Sequence, residues 1–219
     1  MPLWVAILLF FGSLLLGSLG ALFGMSQGEP ETIEQLSWIS GGAICAQIPV
    51  VIVYSLFVKP PNIRNNIGVI LIIFVTFTPL ALVTSGLAHA LFSSIGWEDP
   101  NEVGHETLVF LHNAEFSIYL VVVVLAATLG AGVIEEIVFR GLLLPSVPEF
   151  VGSTSVWGAI LITSVIFSAM HLGSVPLSAL LGLMVLSIGL CLARVKSGGV
   201  FAPIAVHILF NTFNIALVL

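Results

Sequence analysis

The chain has 219 residues, 58% of them hydrophobic and 7% charged, with a mean hydropathy of +1.20. A soluble domain carries roughly 25% charged residues, so a chain this apolar has too little polar surface to face water and takes the bilayer as its solvent. Its 5 Lys+Arg against 11 Asp+Glu give a formal net charge of -6, which excludes a nucleic-acid partner, since that needs basic patches.

A spanning helix needs about 20 mainly apolar residues, and the candidate spans in chain order are 3–23, 36–58, 67–94, 116–144, 155–172, 176–193 and 200–218. The first has no Lys or Arg ahead of its apolar run. It therefore lacks the charged start of a signal peptide and reads as a retained transmembrane helix. Within it Gly20 and Gly24 are four apart, as are Ser13 and Gly17, a spacing that lets a second helix approach closely. Cys45 and Cys191 both lie in apolar runs and read as small core residues. They lack the spacing of a cysteine metal site. The fourth span is long and carries Gly130 and Gly132, where it bends, tilts or divides. The expected fold is an all-α, polytopic transmembrane bundle of seven or eight helices.

The loops differ in charge. Residues 24–35 carry Glu29, Glu31 and Glu34, and residues 95–115 carry Glu98, Asp99, Glu102, Glu106 and Glu115. Residues 59–66 carry Lys59 and Arg64 behind the helix-stopping Pro60 and Pro61, and the turn 194–199 carries Arg194 and Lys196. Basic loops stay in the cytoplasm. Both basic loops then agree on one topology, with the N-terminus inside and the acidic loops outside.

Ionisable side chains within hydrocarbon cost roughly 2.5–3.5 kcal/mol each on insertion scales and mark functional candidates. The first group is Glu135, Glu136 and Arg140 in GVIEEIVFRG. Positions i and i+4 of a helix share a face, so Glu136 pairs with Arg140, while Glu135 projects about 100° away and is left for a cavity. The second group is Phe167 and His171 in FSAMH, and the third is His207 and Asn211 in HILFN, again i and i+4. Buried imidazole and amide groups need partners. Taken together these residues describe a hydrolytic site: Glu135 and His171 deprotonate a water, and His207 and Asn211 donate hydrogen bonds to the oxyanion of a tetrahedral intermediate.

The ordered motifs EExxxR (Glu135, Glu136, Arg140), FxxxH (Phe167, His171) and HxxxN (His207, Asn211) resemble those of the CPBP, or ABI, family of intramembrane endopeptidases, which is related to the type II CAAX prenyl endopeptidases. The resemblance covers about residues 120–219. It implies a catalytic core over residues 116–219, preceded by three N-terminal spans in residues 1–115. It also implies Glu135 and His171 as water activators, His207 and Asn211 as oxyanion donors, and Glu136 and Arg140 as supporting residues. The implied partners are the bilayer of a bacterial or archaeal cell and a peptide or protein substrate. Members are often labelled metalloproteases, yet a glutamate-activated water needs no metal and the chain has no HExxH. The expectation is no cofactor, and a divalent metal on Glu135, His171 and His207 stays open as an alternative.

Other polar residues read as structural. His105, Glu106, His112 and Glu115 form a solvated acidic loop, with surface ion binding as the alternative, and His89 is interfacial. Ser164 and Ser168 lack the elbow motif of a serine nucleophile. Two non-hydrolytic readings compete: an immunity or scaffold protein on the same fold, and a proton-coupled transporter, for which the sequence shows no paired repeats.

Overall fold

The computed structural model describes residues 1–26, 32–58, 66–99, 106–112, 114–152 and 155–219. Glu29, Glu31, Lys59, Pro60, Pro61, Arg64, Glu102 and His105, and the side chain of Glu106, lie outside the described residues. The described chain is all-helical: α1 (Leu3–Met25), α2 (Ile33–Ser55), α3 (Ile67–Ser94), α4 (Glu106–His112), a long interrupted helix α5 (118–151), α6 (Val156–Ala169), α7 (Leu177–Ser197) and α8 (Phe201–Val218). Six of these are long and apolar enough to cross a membrane, namely α1, α2, α3, the Ile118–Glu149 part of α5, α7 and α8.

Two expectations are corrected here. The span expected over 155–172 is a helix of 14 residues, too short to cross on its own. It starts at Ser155, whose hydroxyl accepts from the Gly158 N–H at 3.1 Å. It stops before a turn in which Gly173 takes a φ of 88° and Pro176 precedes the next helix. The span expected over 116–144 neither divides nor ends there. Its α-helical pieces Ile118–Leu125, Ala131–Glu136 and Leu144–Val151 are joined by π-helical stretches Ala126–Gly130 and Ile137–Leu143, which absorb the irregularity without breaking the rod. Gly130 and Gly132 serve packing instead: a Cβ on Gly130 would meet Ile44 Cδ1 at 2.6 Å, and one on Gly132 would meet Ile208 Cγ1 at 2.8 Å.

The helices turn apolar side chains outward and small or polar ones inward, as a bilayer solvent requires. On α1, Trp4, Leu8, Phe11, Leu15, Leu19 and Leu22 recur every three or four residues and are all exposed, while Ala6, Ser13, Gly20 and Gly24 are buried. That buried stripe meets α2. A Cβ on Gly20 would collide with the backbone carbonyl of Gly42, and one on Gly24 would lie 2.5 Å from Ile39 Cα. Ser13 completes the seam by donating to Gln47 Oε1 at 2.6 Å. Cys191 is buried in the core as expected, but Cys45 is exposed on the outer face of α2, so it is not a core residue.

α7 lies at the centre. It packs on α3 and α8 through Ile73, Ala81, Leu186, Leu190, Ala202 and Val206, and on α5 and α6 through Leu144, Val147, Ala159, Ile160 and Cys191. Its N-cap is Pro176, which has no side-chain acceptor for the exposed N–H groups of the first turn. Glu98, beyond the end of α3, supplies one: its Oε1 accepts from the Ser178 N–H at 2.6 Å, and its Oε2 lies 3.0 Å from His89 Nδ1. A carboxylate at a helix N-terminus meets both unpaired N–H groups and the positive end of the helix dipole. Glu98 is buried and pairs with His89.

Two outcomes follow from these contacts. Gly20→Leu should destabilise the detergent-solubilised protein by about 1–3 kcal/mol, read as a lowered Tm. Gly12→Leu should leave the Tm unchanged, because a Cβ at Gly12 meets nothing within 4 Å. Burial pushes the Glu98 carboxyl up, but the Ser178 N–H and His89 outweigh it and hold the group below its ordinary value of 4.5. A depressed carboxyl stabilises the folded state above its unfolded value, and that stability is lost as pH falls through the folded one. The wild-type Tm should therefore drop on acidification below about 4.5 more steeply than that of Glu98→Gln.

Candidate active site

The two adjacent carboxylates of α5 point in different directions because neighbouring helical residues diverge by about 100°. Glu136 turns into the bundle and is fully buried, while the Glu135 side chain keeps 29% of its surface accessible. One turn on, Arg140 is also fully buried and donates from Nη1 to Glu136 Oε1 at 2.8 Å.

The same Glu136 Oε1 lies 2.8 Å from His207 Nδ1 on α8. An ionised carboxylate only accepts, so His207 carries its hydrogen on Nδ1, and its Nε2 is aimed at Glu135, 4.0 Å from Oε2. That Glu135 oxygen is buried and accepts no hydrogen bond from the described residues. On α6, the Phe167 carbonyl lies 2.9 Å from His171 Nδ1. A carbonyl can only accept, so Nδ1 of His171 is again the donor and Nε2 keeps the lone pair. Asn211 donates from Nδ2 to Ala127 O at 2.8 Å. Ala127 lies in a π-helical stretch of α5, and the amide retains a second N–H.

Phe167 joins these groups. Its ring lies under the Arg140 guanidinium at 4.6 Å, a favourable cation–π contact where water is excluded. It also meets Phe139 at 5.0 Å, His171 at 5.0 Å and His207 at 6.2 Å between centroids. The aromatic ring thus sets the spacing between α5, α6 and α8.

Glu135, His171, His207 and Asn211, taken from three helices, all line one cavity of about 430 Å³. The rest of its wall is mostly small or aliphatic, including Ala81, Ala131, Gly182 and Leu186, with Phe167 and Phe210 as its aromatic members and Ser40 and Ser85 contributed by α2 and α3. Asn214, one turn beyond Asn211, also faces it. Among the described residues no group of three or more His, Cys, Asp or Glu is arranged to hold a metal ion.

Sequence reasoning did not single out Ser187, which accepts from Arg140 Nη2 through Oγ at 2.6 Å and through its carbonyl at 3.2 Å. A lone serine in an apolar run is a weak signal. Ser168 and Ser164 do not line the cavity: Ser168 donates to Leu180 O at 2.6 Å, and Ser164 lies 4.0 Å from Cys191 Sγ. His112 lies 3.2 Å from the Val218 carbonyl and ties α4 to the end of α8.

Residues 117–213 match the family model of the type II CAAX prenyl endopeptidases, Rce1-like. This part of the chain is Rce1-like. No curated protein and no solved structure gives a match. The matched region begins at the N-cap of α5 and ends within α8, so it contains every motif residue around the cavity. With six helices long and apolar enough to cross a membrane among the described residues, the chain is an integral, multi-pass membrane protein whose residues 117–213 are similar to the type II CAAX prenyl endopeptidases.

Removing one member of a buried ion pair leaves the other charge unpaired and costs about 3–5 kcal/mol. Arg140→Ala should therefore lower the Tm far more than Lys196→Ala in the turn after α7, measured by thermal unfolding in detergent.

Proposed function

We propose that this protein hydrolyses a peptide bond of a membrane-associated protein or peptide, with a water activated by Glu135 and His171. The observation that carries this reading is the convergence of Glu135, His171, His207 and Asn211 on one cavity, with Glu136 holding His207 from behind. Glu135 takes a proton from the water, and the Nε2 lone pair of His171 steadies it. The oxygen attacks the scissile carbonyl carbon. The carbonyl oxygen, now an anion, receives hydrogen bonds from the free N–H of Asn211 and from His207, which enters the cycle as an imidazolium, donates through Nε2–H and keeps that proton throughout. The carbon–nitrogen bond then breaks, and Glu135 returns its proton to the leaving amine. Hydrocarbon around the cavity lowers the dielectric and strengthens each of these interactions. In the cell the protein sits in a bacterial or archaeal membrane with its N-terminus inside, on the side where Val200, just past the basic turn of Arg194 and Lys196, packs against the cluster of Ala6 and Tyr54.

The test is turnover of quenched fluorescent peptides by the purified protein in detergent. Glu135→Gln should lower the rate by about 10²–10⁴-fold, the usual range for a general base, with an unchanged Tm. Strong chelators should leave the wild-type rate as it is. Full turnover in Glu135→Gln would remove that residue from the mechanism. Loss of activity on chelation, restored by a divalent cation, would replace the glutamate–water mechanism with a metal one.

A further inference from the structure

We infer that Ser187 on α7 is a positioning residue for the site, acting through Arg140 and Glu136 on His207. The inference rests on the hydrolytic reading above for its consequence in turnover, and on geometry alone for its consequence at His207.

The argument starts from the guanidinium of Arg140. It is fully buried, so an N–H group without a partner costs about 1–3 kcal/mol, more for a charged group, and its Nε already has none among the described residues. Nη1 donates to Glu136 Oε1, and Nη2 donates to both the hydroxyl and the carbonyl oxygen of Ser187. A guanidinium held at one corner can pivot. Held at two corners by two different helices, it has a fixed plane. At 2.6 Å the contact to Ser187 Oγ is the shortest hydrogen bond that Arg140 makes.

That fixed plane matters because Glu136 Oε1 is shared. It accepts from Arg140 and from His207, each at 2.8 Å, while Glu136 Oε2 accepts nothing from the described residues. Any swing of Arg140 about Phe167 redistributes the negative charge that holds the Nδ1 hydrogen of His207. The orientation of the His207 ring, and with it the aim of Nε2 into the cavity, follows. Ser187 itself is fully buried and does not line the cavity, so it reaches the reacting atoms only through this chain.

The experiment uses the full-length protein in detergent with three readouts: Tm, kcat and KM on the quenched peptide, and the downfield proton resonance of the His207 Nδ1–H. The resonance is assigned by its loss in His207→Gln. In Ser187→Ala the resonance should move or broaden, and kcat should fall roughly tenfold to a hundredfold, as for other displacements of about 1 Å, with KM within about twofold. Ser187→Thr keeps the hydroxyl and should restore the resonance and most of kcat. If Ser187→Ala does not accumulate, Ser187→Cys, of similar volume but with a weak acceptor, is read in the same way. A purely structural serine would lower Tm and leave the resonance in place.

An unmoved resonance in Ser187→Ala overturns the inference. So does an unchanged kcat where the wild type turns over. Failure of the wild type to cleave any peptide counts against the hydrolytic reading alone, and the resonance then decides the position of Ser187.

Discussion

One carboxylate oxygen, Oε1 of Glu136, holds the site together. It sits at zero exposure and receives both the Arg140 guanidinium and the His207 imidazole. A single buried charge in hydrocarbon is strongly disfavoured. Two donors from two helices meet Glu136 there, and those donors are fixed because it is there. α5 and α8 are bound at that point, and α7 joins through Ser187. Glu135 owes its freedom to the same arrangement. With the neighbouring acid supplying the structural pairing, Glu135 is left turned toward the cavity with one oxygen that accepts nothing from the described residues.

The backbone around this point is irregular in a way that serves it. α5 alternates between α- and π-helical winding, with Ala126–Gly130 before the glutamates and Ile137–Leu143 after them. Winding to i→i+5 loosens the ladder and leaves carbonyls in want of donors. In a bilayer such carbonyls cannot turn to water. The Ala127 carbonyl is met by Asn211 and the Arg140 carbonyl by the Arg194 Nε at 3.2 Å. Asn211 and Arg194 thus satisfy specific backbone atoms of the helix that bears the acids.

The sequence made the local part of this legible. The i, i+4 relation between Glu136 and Arg140 and the divergence of Glu135 follow from helix geometry, and the structure has both. Helix boundaries from apolar runs held for α3 and α8 and drifted by a few residues elsewhere. What the sequence did not carry were relations between distant segments. His207 behind Glu136, Ser187 on Arg140 and Glu98 on the first turn of α7 join residues 71, 47 and 80 positions apart. Helical periodicity reports which face a residue takes, not which helix meets that face. The shortness of α6 was hidden as well, because the apolar run continues past Ala169 while the backbone already turns. The exposed Cys45 shows the same limit: in lipid an apolar residue is equally at home outside, so hydrophobicity no longer separates core from surface.

The 14 residues of α6 rise about 21 Å, against a hydrocarbon core of roughly 30 Å. Lipid beside this helix cannot keep its full thickness without leaving the turn that carries His171 below the headgroups. The bilayer relieves such a hydrophobic mismatch by thinning locally. Thinning beside α6 brings headgroups and water closer to the turn that carries His171.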